Sequence, residues 1–257
     1  MRRADLLIVI SVIALGSFIA VEAIGVRGSA ASRAAAPAQD AADVSGTSSG
    51  NERVVASTGI PAPERNLDAI RRHLQDHAQG TFIGDILALR DSNIARWVDR
   101  RDKPVSVWID ERSPLAGPER SLSSQVRSAF VDWGAAGVPL GFTFVGDSSR
   151  AEVKVTFVER FAQLMTGRTL WIRDRNWWII GGSIELALQT GSGHVLTPDE
   201  FHAIALHEVG HLLGLDHTAD TLAVMAPHVR SLSLTPQDVA TMRLIYELPP
   251  GTVKGGR

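Results

Sequence analysis

The chain of 257 residues contains no cysteine. This absence excludes a disulfide framework, thiolate metal ligands and a thiol nucleophile. The chain also lacks a large excess of either charge, because its formal net charge is only −2. Nucleic acid is therefore not an expected partner. The length is sufficient for one or two ordinary domains with a sizeable core.

One long apolar run lies at the N-terminus, where Arg2 and Arg3 precede the uncharged residues 6–21. Basic residues tend to stay on the cytoplasmic side of a membrane, so this order predicts export of the rest of the chain. The run is intermediate in length between a signal peptide and a short membrane span. We interpret residues 1–26 as either a cleaved signal peptide or a retained anchor. The protein is then secreted, or tethered to the membrane by this segment alone.

Composition and periodicity divide the remainder into four segments. Residues 27–63 are rich in Ala, Ser, Gly and Pro with little apolar material to bury, which predicts a flexible linker. Residues 64–102 contain an amphipathic helical pattern. We interpret this segment as a pro-like inhibitor of the following domain or as a part that packs on it. Residues 103–250 are the predicted main domain, and residues 251–257 are a short tail.

The main domain combines strand and helix periodicities, which predicts an α+β fold. Thr-Pro pairs at 197–198 and 235–236 mark the starts of two helices, since threonine caps a helix and proline suits its first position. Apolar residues recur at helical spacing over a third helix. Alternating patterns predict strands at 105–109, 153–157 and 184–188, and the third helix covers 122–133.

The helix that opens near Thr197 contains the pattern typical of a catalytic metal site. His207 and His211 are four residues apart, so their side chains lie on one helix face and can bind one ion together. Gly214 predicts the end of the helix, and the chain then returns to supply His217. Three neutral imidazoles leave a fourth tetrahedral position for water, which indicates one catalytic Zn²⁺.

Glu208 is the predicted general base of this site. It follows His207 directly and is rotated around the helix, so it can reach the water without being a ligand. Zinc lowers the pKa of its water toward ~7 and polarises a substrate carbonyl. Glu208 then takes the proton and can return it to the leaving amine. The predicted activity is hydrolysis of peptide bonds without a covalent intermediate.

Two other interpretations remain open at this point. The chain could be a catalytically weak, zinc-bearing binding module of the cell envelope, or an anchored envelope protein without a metal. The remaining histidines carry no comparable pattern. His73 and His77 are one helical turn apart but have no third ligand, which favours a solvated helix face. We interpret the others as surface residues or as residues that support the ligands: His194, His202 and His228.

The zinc motif over His207–His217 is similar to that of the metzincins, whose members also have a methionine-containing turn beneath the metal. Val224–Pro227 resembles that turn, with Met225 as its methionine. Within the metzincins the chain looks most like a matrixin, the matrix metalloprotease family. Thr218 matches the Ser or Thr that usually follows the third histidine, and residues 234–246 resemble the last helix.

This resemblance implies a zincin-type α+β fold: a twisted, mostly parallel sheet with three main helices, the active-site helix and the Met-turn. It implies a zinc endopeptidase that binds a peptide or protein in extended form. The strand above the cleft would be Trp178–Leu188, and a specificity pocket beside His207 would be walled by residues 227–230. The chain departs from the family in two ways. A cysteine switch is impossible, and residues 167–188 contain no histidine for a second zinc. A calcium requirement stays uncertain.

Overall fold

A computed structural model describes residues 52–56, 58–113 and 122–254. The predicted signal or anchor at residues 1–26 and most of the predicted linker lie outside these ranges. In the part of the chain that is described, no helix combines the length and apolar character needed to cross a membrane.

The described residues form nine strands and five α-helices. The N-terminal part contains short elements, and the longest helix lies near the C-terminal end. In chain order the elements are β1 (Glu52–Val55), α1 (Leu67–His77), α2 (Ile83–Leu89), β2 (Asn93–Ile94), β3 (Arg96–Trp97), β4 (Arg100–Ile109), α3 (Leu122–Ala135), β5 (Leu140–Phe144), β6 (Val153–Val158), β7 (Gly167–Asp174), β8 (Trp178–Ala187), α4 (Pro198–Leu212), α5 (Pro236–Glu247) and β9 (Gly251–Thr252).

Seven strands form one mixed sheet in the order β1-β7-β8-β6-β4-β5, and β3 also pairs with β8. The pairings are parallel except for β7 against β8, which runs antiparallel from Gly167 opposite Leu186 to Arg173 opposite Ile179. Strands β2 and β9 form a separate antiparallel pair. The mostly parallel sheet that the sequence predicts is therefore confirmed.

The two long C-terminal helices begin where the sequence predicts. Thr197 caps α4 through its side chain, and Glu200 bonds back to the backbone of Thr197. Thr235 and Asp238 make the same reciprocal pair at the start of α5. These capping boxes satisfy N–H groups that have no partner within the helix, so they fix the point at which each helix starts.

Helix α4 is fixed in the core by hydrogen bonds from two buried tryptophans. Trp133 of α3 donates its indole N–H to Leu206 O at 2.9 Å, and Trp97 of β3 donates to Leu212 O at the same distance. Both indole rings are almost fully buried. A buried indole N–H needs an acceptor, so each tryptophan fixes one point along the helix that carries the zinc motif.

Some of the described residues before residue 103 contact the predicted main domain. The predicted linker 27–63 contains β1, which pairs with β7 and whose Glu52 makes a bidentate ion pair with Arg173 at 2.8 and 2.9 Å. Within residues 64–102, the side chains of Ile86 and Ile94 are fully buried in the same core as the main domain. The interpretation of residues 64–102 as a pro-like or packing segment and the boundary at residue 103 both stay predictions.

The carboxylate of Glu152 at the start of β6 links stability to pH. Burial alone would raise the pKa of Glu152, but hydrogen bonds from Arg100 and Ser106 outweigh it and hold the pKa below 4.5. A group with a depressed folded-state pKa contributes stability that is present above the unfolded-state pKa and is lost as the pH falls through the folded value.

We therefore expect the unfolding temperature of the zinc-free protein to decrease as the pH is lowered below about 4.5. Glu152→Gln removes the titrating group and should make this fall shallower, as measured by thermal unfolding in the presence of a chelator. An identical pH profile for both proteins would contradict the assignment.

Candidate active site

The three histidines of the motif converge on one point. His207 and His211 project from the last two turns of α4, and Nε2 of one lies 3.0 Å from Nε2 of the other. The chain then turns at Gly214 and brings His217 Nε2 to 3.2 Å from His211 Nε2. One ligand atom from each residue lies within 4.8 Å of the others, and this is the single such group of His, Asp or Glu found among the described residues.

The turn after α4 depends on a residue without a side chain. Gly214 has φ +101°, a left-handed conformation that other residues rarely adopt, and a Cβ there would overlap the carbonyl oxygen of Ala95. The sequence predicted this helix end, and the structure confirms it, with α4 ending at Leu212. The reversal is what brings His217 back to the two histidines on the helix.

Backbone carbonyls set the protonation of two ring nitrogens. His207 Nδ1 lies 2.7 Å from Val224 O, and His211 Nδ1 lies 3.2 Å from Leu215 O. Carbonyl oxygens only accept hydrogen bonds, so each Nδ1 carries the hydrogen and each neutral ring presents a lone pair at Nε2. Two lone pairs that face each other at 3.0 Å have no proton between them, and a cation satisfies both.

Burial keeps these rings neutral. Burial, assisted by nearby His217, lowers the pKa of His207 to about 3. Burial and the two neighbouring imidazoles hold the pKa of His211 well below its ordinary value. Metal ligation requires unprotonated nitrogen, so the donor set fits a divalent ion that prefers imidazole, such as zinc.

Glu208 is completely buried beside the triad. Its Oε2 lies 2.6 Å from the hydroxyl of Thr169 on β7, whereas its Oε1 has no hydrogen-bond partner among the described residues. Burial raises the pKa of Glu208 to about 8, although the Thr169 bond acts in the opposite direction. Buried carboxylate oxygens are rarely left unpaired, so Oε1 is available to a proton donor that enters the site.

The methionine-containing turn contacts His207, the first histidine of the motif, through a backbone carbonyl. Met225 is fully buried, and Val224 O is the acceptor for His207. The backbone N–H groups of Val224 and Met225 donate to the Asp238 carboxylate at 3.0 and 3.3 Å. The sequence singled out Met225 but not Asp238. Its position three residues after the capping threonine was the available signal, but its contact with the turn required the fold.

The remaining histidines lie outside this centre. His73 bonds to Glu247 at 2.8 Å, and His77 bonds to the carbonyl of His73, both on the exposed face of α1. His202 lies on α4 but faces α3, where its Nε2 contacts Asp132 at 3.0 Å. His194 lies beside the start of α4, and His228 is exposed after the Met-turn.

The strand that contacts the Glu208 carboxylate is β7, through Thr169, so the prediction of Trp178–Leu188 as the strand above the cleft is wrong. Strand β8, which covers most of that range, is paired on both of its edges with β7, β6 and β3. A strand in the interior of a sheet has no free backbone groups for a peptide. Alternating periodicity reports which face of a strand is buried, and it does not distinguish an interior strand from its neighbour nearer the edge.

Gly167 at the start of β7 leaves the space that the Glu208 carboxylate occupies, because an added Cβ would overlap Oε1 and Cδ of Glu208. If Glu208 has the predicted role of general base, Gly167→Ala should displace the carboxylate and lower the predicted peptide hydrolysis by about 100-fold, a loss that a 1 Å displacement can cause. Zinc content should stay at the wild-type level, since no ligand is touched.

The matched control for this prediction is Gly146→Ala, at a glycine where a Cβ meets no atom within 4 Å. Hydrolysis should be unaffected there. Wild-type hydrolysis by Gly167→Ala would contradict the close contact with Glu208.

Comparison with known proteins identifies similar sequences. The sequence model of the matrixin family matches residues 97–247. Metalloendoproteinase 5-MMP of Arabidopsis thaliana is 28% identical over 164 residues, which cover 54% of this chain and 44% of that protein. Metalloendoproteinase 1-MMP of the same plant is 30% identical over 142 residues, covering 47% and 36%. Metalloendoproteinase 1 of Glycine max is 30% identical over 78 residues, covering 29% and 24%. The chain thus spans less than half the length of these relatives.

Proposed function

The chain belongs to the matrixin family, and on that premise we propose that it is a zinc-dependent endopeptidase. His207, His211 and His217 hold the metal, and Glu208 is the general base. One observation carries this proposal: the buried Oε1 of Glu208 has no hydrogen-bond partner in the described part of the chain, beside three converging imidazoles. The family match confirms the resemblance drawn from the motif and the α+β metzincin fold.

In this mechanism zinc, when bound, supplies a Lewis acid that acidifies water and polarises the substrate carbonyl. A bound cation beside Glu208 would favour its ionised form. In that form Glu208 accepts a proton at Oε1 while the water oxygen attacks the carbonyl carbon. Thr169 donates to Oε2, which leaves Oε1 as the carboxylate oxygen without a hydrogen-bond partner among the described residues. As the C–N bond breaks, Glu208 returns the proton to the leaving amine nitrogen.

The substrate that we propose is an extended peptide or protein segment on the edge of β7. One edge of β7 is paired with β8, and β1 covers the other edge only over Trp171–Asp174. The edge over Gly167–Leu170 has no partner strand among the described residues and lies beside Glu208. Main-chain hydrogen bonds to this short edge would align a peptide, and β1 limits how far the peptide can follow the strand.

Specificity and location belong to the same proposal. A pocket beside His207, walled by residues 227–230, would accept one substrate side chain, and Val229 in that wall is buried.

The basic and apolar N-terminus supports export, as a secreted or membrane-tethered enzyme. No feature of the described residues favours a catalytically weak binding module, because the three histidines and Glu208 are all in place.

The test is a cleavage screen with the full-length chain and a broad peptide library, combined with metal analysis. We expect about one zinc per chain and cleavage of internal bonds in some of the peptides. A chelator should stop cleavage, and equimolar zinc should restore it. Zinc-loaded protein that cleaves no peptide would overturn the enzyme proposal in favour of the binding module.

A further inference from the structure

Arg90 lies buried beneath the turn that joins α4 to His217. It caps the C-terminal end of α2, and its side chain is only 2% exposed. All three guanidinium nitrogens donate to this turn: Nε to Asp216 Oδ2 at 3.0 Å, Nη1 to Gly214 O at 2.6 Å and Nη2 to Leu215 O at 2.7 Å. A planar guanidinium with donors in fixed directions can hold several acceptors in one arrangement.

Two of these three acceptor groups also accept a hydrogen bond from a histidine of the site. Leu215 O also accepts the hydrogen bond from His211 Nδ1. The other oxygen of Asp216 accepts the backbone N–H of His217 at 2.9 Å. Arg90 therefore fixes the group that orients one histidine and the backbone that carries another.

The residues that follow His217 are held by the same helix. Asp85 of α2 accepts the hydroxyl of Thr218 at 2.8 Å and the backbone N–H of Ala219 at 3.1 Å. Helix α2 thus contacts the chain on both sides of His217. The conformation of this stretch depends on a helix more than a hundred residues earlier in the sequence.

A stabilising role alone does not account for this arrangement. The Arg90–Asp216 pair is buried on both sides, at 2% and 5% exposure. Desolvation of two charges offsets most of their attraction, so a buried ion pair often adds little stability over apolar side chains of similar size. Arg90 instead makes three hydrogen bonds to the turn between His211 and His217, and these hydrogen bonds fix the orientation of that turn.

We propose that Arg90 is a positioning residue that sets the directions of His211 and His217 toward the metal. The inference rests on the proposed function in assigning those histidines to zinc. It makes helix α2, within the segment 64–102, part of the zinc-binding unit, so that removal of this segment would weaken the site instead of activating it.

The test compares the full-length wild type with Arg90→Met combined with Asp216→Leu. Zinc affinity is measured by competition with a chromophoric chelator, and stability by thermal unfolding of the zinc-free protein. We expect zinc affinity to fall ~10- to 100-fold, the usual effect of losing residues that support ligands. The zinc-free unfolding temperature should fall moderately, because removing both charges together leaves no unpaired buried charge but deprives Gly214 O and Leu215 O of a donor. Zinc affinity is therefore compared at a temperature at which both zinc-free proteins are folded. Unchanged zinc affinity would overturn the proposal.

Arg90→Lys keeps the charge, but its single ammonium cannot reproduce the fixed fork of donors. It should weaken zinc binding by a smaller factor, and it decides the matter if the double variant does not fold. Wild-type zinc affinity in Arg90→Lys would then overturn the proposal.

The matched control is Arg100→Met, which breaks the ion pair with Glu152; the hydrogen-bond partners of the Arg100 side chain lie outside the zinc motif, at Lys103, Pro104 and Glu152. Its zinc affinity should equal that of the wild type, and an equal loss there would show a general effect of removing an arginine, against the proposal. Peptide cleavage is measured separately. A wild type that binds zinc but cleaves nothing would sink the proposed function and leave the zinc comparison intact.

Discussion

Glu208→Ala should retain zinc and lose peptide hydrolysis. The three imidazoles supply the coordination bonds from the protein, so zinc content should stay near that of the wild type. The attacking water loses its proton acceptor, and general-base catalysis is typically worth about 100- to 10,000-fold. We therefore expect kcat/KM to fall by at least that order. The measurement is steady-state cleavage of a fluorogenic peptide together with metal analysis of the same sample.

Glu208→Gln is the companion variant for this result. Glutamine has nearly the same shape and still accepts the hydrogen bond from Thr169, so packing is preserved while the base is removed. It should be as inactive as the alanine variant. Glu247→Gln, which changes an exposed carboxylate on α5, should keep full activity. Wild-type cleavage by either Glu208 variant would show that another group takes the proton.

His211→Ala should lose zinc and hydrolysis together. This change removes a proposed ligand at the middle of the triad, where Nε2 lies 3.0 Å from His207 and 3.2 Å from His217. Loss of a ligand should weaken zinc binding by more than ~100-fold, the upper end for residues that only support ligands. Because zinc binds the folded state, the difference in unfolding temperature between zinc-loaded and zinc-free protein should also shrink.

The matched control is His202→Ala, on the same helix but facing Asp132 of α3. It should keep its zinc, even if its stability falls. The outcome that would refute the ligand assignment is tight zinc binding by His211→Ala with an unchanged rise in unfolding temperature on adding zinc.

Much of the site could be predicted because its spacing is local. Four residues return a helix to the same face, so His207 and His211 had to face together once the segment was helical. A capping threonine and a left-handed glycine set the two ends of that region, which the structure confirms at Thr197 and Gly214.

Features that depend on contacts between residues far apart in the sequence could not be predicted. Strand β1 has only four residues, with Val54 half exposed, so it carries no periodic signal. Its order comes from pairing with β7 and from the ion pair of Glu52 with Arg173. The sequence prediction placed β8 where the structure has β7 for a related reason. The order of strands in a sheet depends on all of its strands, which are far apart in the sequence.

The sequence by itself determined the members of the candidate site: three imidazoles, one carboxylate and the turn that brings them together, all within residues 207–217. The tertiary structure alone decided what holds these groups in place. Thr169, Asp238 and Arg90 reach the site from β7, α5 and α2. The spacing of residues predicts local backbone geometry. Contacts between distant segments form only when these segments pack into a shared apolar core.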